Sequence, residues 1–170
     1  MMGAMERDAV DEVIAQWRRA RPDLDPSPMG VIGRIARLAV ATERELERVF
    51  GRYGLSGGEF DVLATLRRAS GPDGVTPTEL AESTMVTTGG MTKRLDALER
   101  RKLIRRDPRE GDRRSVWISL TPKGHALVDD AVEAHVKNEE RILSGLSKRD
   151  RDQLARLLRE LALTVDTGRD

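Results

Sequence analysis

The chain contains no cysteine. Disulfides, thiolate metal sites and thiol-based oxidation sensing are therefore excluded. Aromatic residues are scarce, at 3% of the chain, which argues against aromatic-rich sheet layers as the main architecture. No apolar run reaches the roughly 18 residues that a membrane span requires. The segment from Met1 to Val10 also lacks the apolar centre of a signal peptide. A cytoplasmic protein with no membrane partner is expected. The two histidines, His125 and His135, lie ten residues apart on one predicted helix and point to different faces, with no second pair nearby, so no metal site is expected. There is no Walker sequence, no G-x-G-x-x-G and no Ser-His-Asp order. The expectation is a protein with no catalytic residues and no cofactor, not an enzyme.

What remains is charge and helical periodicity. At 170 residues, with 38% hydrophobic and 35% charged side chains, the chain can bury one core and favours amphipathic helices. Val10, Val13, Ile14 and Trp17 share one face of a first helix over about Arg7 to Ala20. Three prolines between Arg21 and Pro28 then break it. A long helix from about Met29 to Tyr53 keeps Ile32, Ile35, Leu38, Leu46, Val49 and Phe50 at helical spacing. Ser56-Gly57-Gly58-Glu59 and Thr76-Pro77-Thr78-Glu79 are capping boxes, opening helices from Gly58 to about Ser70 and through about Ser83. Thr121-Pro122 starts a helix to about Ser144, and Ser147 to Asp150 caps a last one carrying Leu154, Leu157, Leu158 and Leu161.

The stretch from Thr87 to Gly124 is the most informative. A helix over Thr87 to Arg101 buries Met91, Leu95 and Leu98 and turns Thr88, Thr92, Lys93 and Glu99 outward. Two short strands, Leu103 to Arg106 and Val116 to Leu120, flank a charged turn from Asp107 to Arg114. Residues 93 to 114 hold ten basic side chains against five acidic ones, a local +5 in a chain whose net charge is +1. Concentrated positive charge of this kind suits phosphate neutralisation and counterion release. The pattern reads as a winged helix-turn-helix, mostly α with a small β-hairpin wing. Thr87, Thr88, Thr92 and Lys93 are the candidates for base edges and phosphates, and Gly89 and Gly90 allow close backbone approach. Arg113 and Arg114, with Asp112 orienting one guanidinium, and Arg109 beside them are the candidates on the wing. Arg94 sits at the edge of the buried stripe and points inward, where it needs a partner. The plain reading of that pairing is an ion pair that ties the helix to its neighbour.

Met91-Thr92-Lys93-Arg94-Leu95, Leu103-Ile104-Arg105-Arg106, Asp112-Arg113-Arg114 and Leu120-Thr121-Pro122-Lys123-Gly124 resemble the MarR transcription regulators. The likeness runs over essentially the whole chain. It implies an intertwined homodimer whose two winged helices read a palindromic operator in double-stranded DNA, usually as a repressor released by a small ligand. It also implies a division into dimerising N-terminal helices with a ligand pocket (1–55), a DNA-binding region (56–120) and C-terminal dimerisation helices (121–170). Trp17, the Pro22 to Pro28 connector and Gly58 to Leu63 are similar to the urate-responsive, PecS- and TamR-like branch. By position, Trp17, Asp61, Arg94 and Arg106 match the ligand-responsive set of that branch. The implied effector is a small anion, either a purine such as urate or a polycarboxylate such as trans-aconitate or citrate. Trp17 also fits a plain core position. The competing reading is an architectural or protein-interaction winged helix without ligand response.

Overall fold

A computed structural model describes residues 7–69, 74–84, 90–109 and 112–167. The elements in chain order are α1 (Ala9–Ala20), α2 (Ser27–Arg52), α3 (Gly57–Ala69), α4 (Pro77–Ser83), α5 (Met91–Arg100), β1 (Ile104–Arg109), β2 (Asp112–Leu120), α6 (Pro122–Ile142) and α7 (Lys148–Thr167). The fold is mostly helical with one antiparallel hairpin, as the sequence predicts. It divides into two compact units, Met1–Glu45 and Leu46–Asp170.

In the first unit, Asp8 caps α1. Its carboxylate accepts the N–H groups of Val10 and Asp11 at 2.8 and 3.0 Å, and the Asp11 carboxylate accepts the Asp8 N–H at 3.0 Å. Arg34 of α2 clamps this cap by donating to Asp8 at 2.9 and 3.0 Å, to Asp11 at 2.7 Å and to the Gly30 carbonyl at 3.1 Å. Val10 is buried, whereas Val13 and Trp17 stay 45% and 42% exposed. The predicted stripe is therefore buried at its first position, half-buried at Ile14 and exposed at the other two. Helix α2 begins at Ser27 and not at Met29. Pro28 is tolerated there because a first-turn residue has no intrahelical N–H bond to lose.

The α1 clamp carries a pH signature. The Asp11 N–H and then Arg34 hold the Asp8 carboxyl below its ordinary 3.8, and the Asp8 N–H and then Arg34 do the same for Asp11. Carboxyls lowered on folding stabilise fully above their unfolded value, and the contribution is lost as pH falls through the folded one. In a Trp117→Phe background, Trp17 emission is expected to stay constant from neutrality to about pH 4.5 and to change only below about pH 3.8. A transition centred near pH 6 would contradict the clamp.

The second unit holds the main core, in which Leu63, Leu80, Leu98, Ile118 and Val128 are fully buried. Phe50 and Phe60 stack at 4.1 Å, and His135 packs against both rings. Ser56 and Glu59 form the predicted capping box, as do Thr76 and Glu79. Glu47 adds an unforeseen acceptor for the Gly57 N–H, at 2.9 Å.

The hairpin pairs Ile104 with Leu120, Arg106 with Ile118 and Pro108 with Val116. Its strands run further than predicted, taking in Asp107 to Arg109 on one side and Asp112 to Ser115 on the other. Pro108 fits because β1 is an edge strand, where a missing N–H removes no ladder bond; the register then shifts between Pro108 and Arg109. On the other edge, Val75 exchanges both backbone hydrogen bonds with Ile118, at 3.0 and 2.8 Å. Thr121 locks the start of α6, donating its hydroxyl to the Lys102 carbonyl at 2.7 Å and accepting the Gly124 N–H at 3.0 Å.

Candidate nucleic-acid interface

Helix α5 starts at Met91 and not at Thr87. Gly90, its N-cap, has φ +84°, a left-handed conformation that glycine adopts without steric cost. Thr87, Thr88 and Gly89 lie outside the described residues. The helix ends in a Schellman motif: the Leu103 N–H reaches the Leu98 carbonyl at 3.0 Å and the Lys102 N–H reaches the Glu99 carbonyl at 2.8 Å. Lys102 takes the left-handed position, at φ +58°, where glycine is more usual. Leu95 and Leu98 bury the inner face, and Thr92, Lys93 and Arg100 are exposed.

Among the described residues, the basic side chains divide into those with an acidic or carbonyl partner and those without an acidic one. Arg101 donates to the Gly54 carbonyl at 2.9 Å and approaches Glu59 at 3.5 Å. Arg105 faces outward from β1, with Asp107 at 2.8 Å and the Ser119 hydroxyl at 2.9 Å. Arg106 alternates to the other face, shared with buried Ile104, and meets Asp96 at 2.7 Å and Glu99 at 3.1 Å on α5. Lys93 and Arg100, seven residues apart and hence on one face of α5, have no acidic partner among the described residues. Sequence reasoning counted Arg100 in the basic cluster but missed it as a site residue. Its spacing from Lys93 was the available signal. Arg109, Asp112, Arg113 and Arg114 lie at the outer end of the hairpin by backbone position, and their side chains fall outside the described residues.

The four ligand-response candidates are distributed over both units. Asp61 is buried on α3, and Arg94 on α5 is partly buried. The Arg94 guanidinium lies directly over the Cα of Gly58, where a larger residue would collide with it. Neither Asp61 nor Arg94 is without a partner. Arg106 is held by α5, as above. Trp17 belongs to α1 in the first unit. Among the described residues no group of side chains has a metal-ligating arrangement, and no helix is long and apolar enough to cross a membrane.

Comparison with known proteins agrees with this geometry. The MarR family matches residues 53–115. The chain is 46% identical over 149 residues to the HTH-type transcriptional regulator PecS of Dickeya dadantii, covering 88% of this chain and 90% of that protein. It is 30% identical over 125 residues to the HTH-type transcriptional repressor YetL of Bacillus subtilis, covering 74% of each. Among solved structures, Bordetella bronchiseptica BpsR, whose DNA binding is regulated by 6-hydroxynicotinic acid, superposes with a TM-score of 0.64 at 25% identity, over 77% of this chain and 98% of that one. An exposed Thr- and Lys-bearing helix beside a basic hairpin, together with likeness to regulators over nearly the whole chain, places this protein in the MarR family of DNA-binding transcriptional regulators.

Proposed function

We propose that the protein is a homodimeric repressor that holds a palindromic operator and leaves it when a small organic anion binds. The observation that carries the DNA-reading part is the row of Lys93 and Arg100 on the exposed face of α5, without acidic partners among the described residues, with Thr92 beside it. In this reading Thr87, Thr88, Gly89, Thr92 and Lys93 meet the major groove, and Arg109, Asp112, Arg113 and Arg114 carry the wing to the adjacent minor groove. Repression is supported by the likeness to YetL, and a response to a small organic acid is supported by the likeness to BpsR, whose DNA binding 6-hydroxynicotinic acid regulates.

Dimerisation is supported by apolar side chains that this chain alone leaves uncovered. Leu154, Leu157 and Leu158 on α7 are 41–46% exposed, and Val136 and Leu143 at α6 are similar. A helix of 20 residues with an open leucine stripe is stable only when another surface covers it. The functional division is then 1–55 and 121–170 for assembly, the first also contributing Trp17 to the ligand response, and 56–120 for DNA.

For the response to ligand, Trp17, Asp61, Arg94 and Arg106 are the set proposed. Arg106 is committed to Asp96 and Glu99, so an anion that takes Arg106 displaces both carboxylates on the DNA-reading helix. Asp61 and Arg94 provide a second route, because a negative ligand near a buried carboxylate disturbs its surroundings. Fluorescence anisotropy on DNA from the gene's own upstream region is expected to show tight binding that is lost with urate, trans-aconitate or citrate. Tight binding indifferent to all three would discard the ligand-response role of these four residues.

A further inference from the structure

We propose that Arg106 is a positioning and screening residue for DNA binding, because its charge offsets part of the negative charge of two carboxylates that the recognition helix would otherwise present to phosphate. The inference rests only on the chain's binding of DNA, and on neither the operator nor the effector. Asp96 and Glu99 are three residues apart on α5, so their side chains lie one above the other on one flank. Asp96 follows Thr92 by four residues and Lys93 by three, which puts its carboxylate within about one helical turn, roughly 5.4 Å along the axis, of both. Its side chain is half exposed. A phosphate reached by Lys93 would therefore sit well inside a Debye length of two negative charges.

Arg106 answers this from β1. Strand alternation puts its side chain on the face of buried Ile104, toward α5, and its fork spans both acids, one nitrogen at 2.7 Å from Asp96 and the other at 3.1 Å from Glu99. Its own side chain is only 27% exposed, against 63% for neighbouring Arg105. Arg106 therefore makes a poor phosphate contact itself. Its two fixed pairs instead tie the base of the wing to the flank of α5, and its one positive charge lowers the net charge of the Asp96 and Glu99 cluster from −2 to −1. The acids gain a role in turn, since a guanidinium fork on two carboxylates fixes the angle between helix and hairpin more tightly than apolar contact alone.

The test is binding to a random-sequence duplex at low salt, measured by anisotropy for wild type, Arg106→Gln and the triple variant Arg106→Gln/Asp96→Asn/Glu99→Gln. Gln keeps most of the length of Arg106 and removes its charge. Arg106→Gln is expected to weaken non-specific binding by about tenfold, and the added amides to restore it to within about threefold of wild type. Purely structural damage would not be repaired by removing two more charges. Thermal midpoints identify a variant that fails to fold, and Arg106→Lys, which keeps one cation, is expected to fall between wild type and Arg106→Gln. Wild-type affinity in Arg106→Gln, or a triple variant no better than the single one, overturns the proposal.

Discussion

The double variant Lys93→Ala/Arg114→Ala is expected to lose operator binding while keeping its oligomeric state. Lys93 is exposed and has no acidic partner among the described residues, so its removal takes little from the folded protein. Each lost contact to a base or phosphate costs about 1–3 kcal/mol. In the proposed two-fold dimer each substitution acts twice, so the combined loss is on the order of a thousandfold or more in Kd. Anisotropy on the upstream fragment reads the affinity, and sedimentation reads the assembly. Unchanged binding would remove both residues from the interface. A dissociated oligomer would instead make the loss of binding a consequence of assembly.

Gly124→Ala is expected to have the largest effect on stability. A Cβ at residue 124 would be driven into the carbonyl oxygen of Leu103, which belongs to the backbone and cannot rotate away. That oxygen also accepts the Thr121 N–H at 3.0 Å, and Leu103 is 1% exposed, so the site has no room to relax. The close approach of α6 to the turn after α5 is what makes glycine necessary at the end of the Leu120-Thr121-Pro122-Lys123-Gly124 segment. Overpacking of this kind costs about 3 kcal/mol or more. For a chain of this size that lowers Tm by about 6–12 °C. Thermal unfolding followed by circular dichroism checks it, and a Tm within about 2 °C of wild type would show that α6 can shift freely.

Features whose cause lies within a few residues were legible in the sequence. The Ser56/Glu59 and Thr76/Glu79 boxes, and Thr121 ahead of Pro122, are local hydrogen-bond patterns, and each appears where it was read. The apolar spacing of Leu95 and Leu98 correctly gave the inner face of α5. Strand length was misread because a proline in a charged segment looks like a turn, and only the edge position of β1 makes Pro108 acceptable. The bridge from Val75 to Ile118 spans too much sequence for any local signal to specify.

The same division holds at the interface. Composition located the basic cluster, but which of its members are free depends on neighbours from other elements. Arg105 and Arg106 are adjacent and chemically identical, yet strand alternation sends one to Asp107 and the other to Asp96 and Glu99. Arg100 stands out beside Lys93, without an acidic partner among the described residues, only after Arg101, Arg105 and Arg106 are seen to be engaged. Asp8 and Asp11 formed a capping box that a Ser/Thr-x-x-Glu pattern does not include, and Arg34 completes it from 23 and 26 residues away.

The most direct measurement is the salt dependence of binding to the upstream fragment and to a scrambled duplex of equal length. A reader built on α5 and the hairpin binds the upstream fragment far more tightly, and both affinities fall steeply and linearly in log–log form as salt rises, because several phosphates are neutralised by basic side chains. Equal, weak binding to both duplexes with little dependence on salt would contradict the assignment of this surface to DNA.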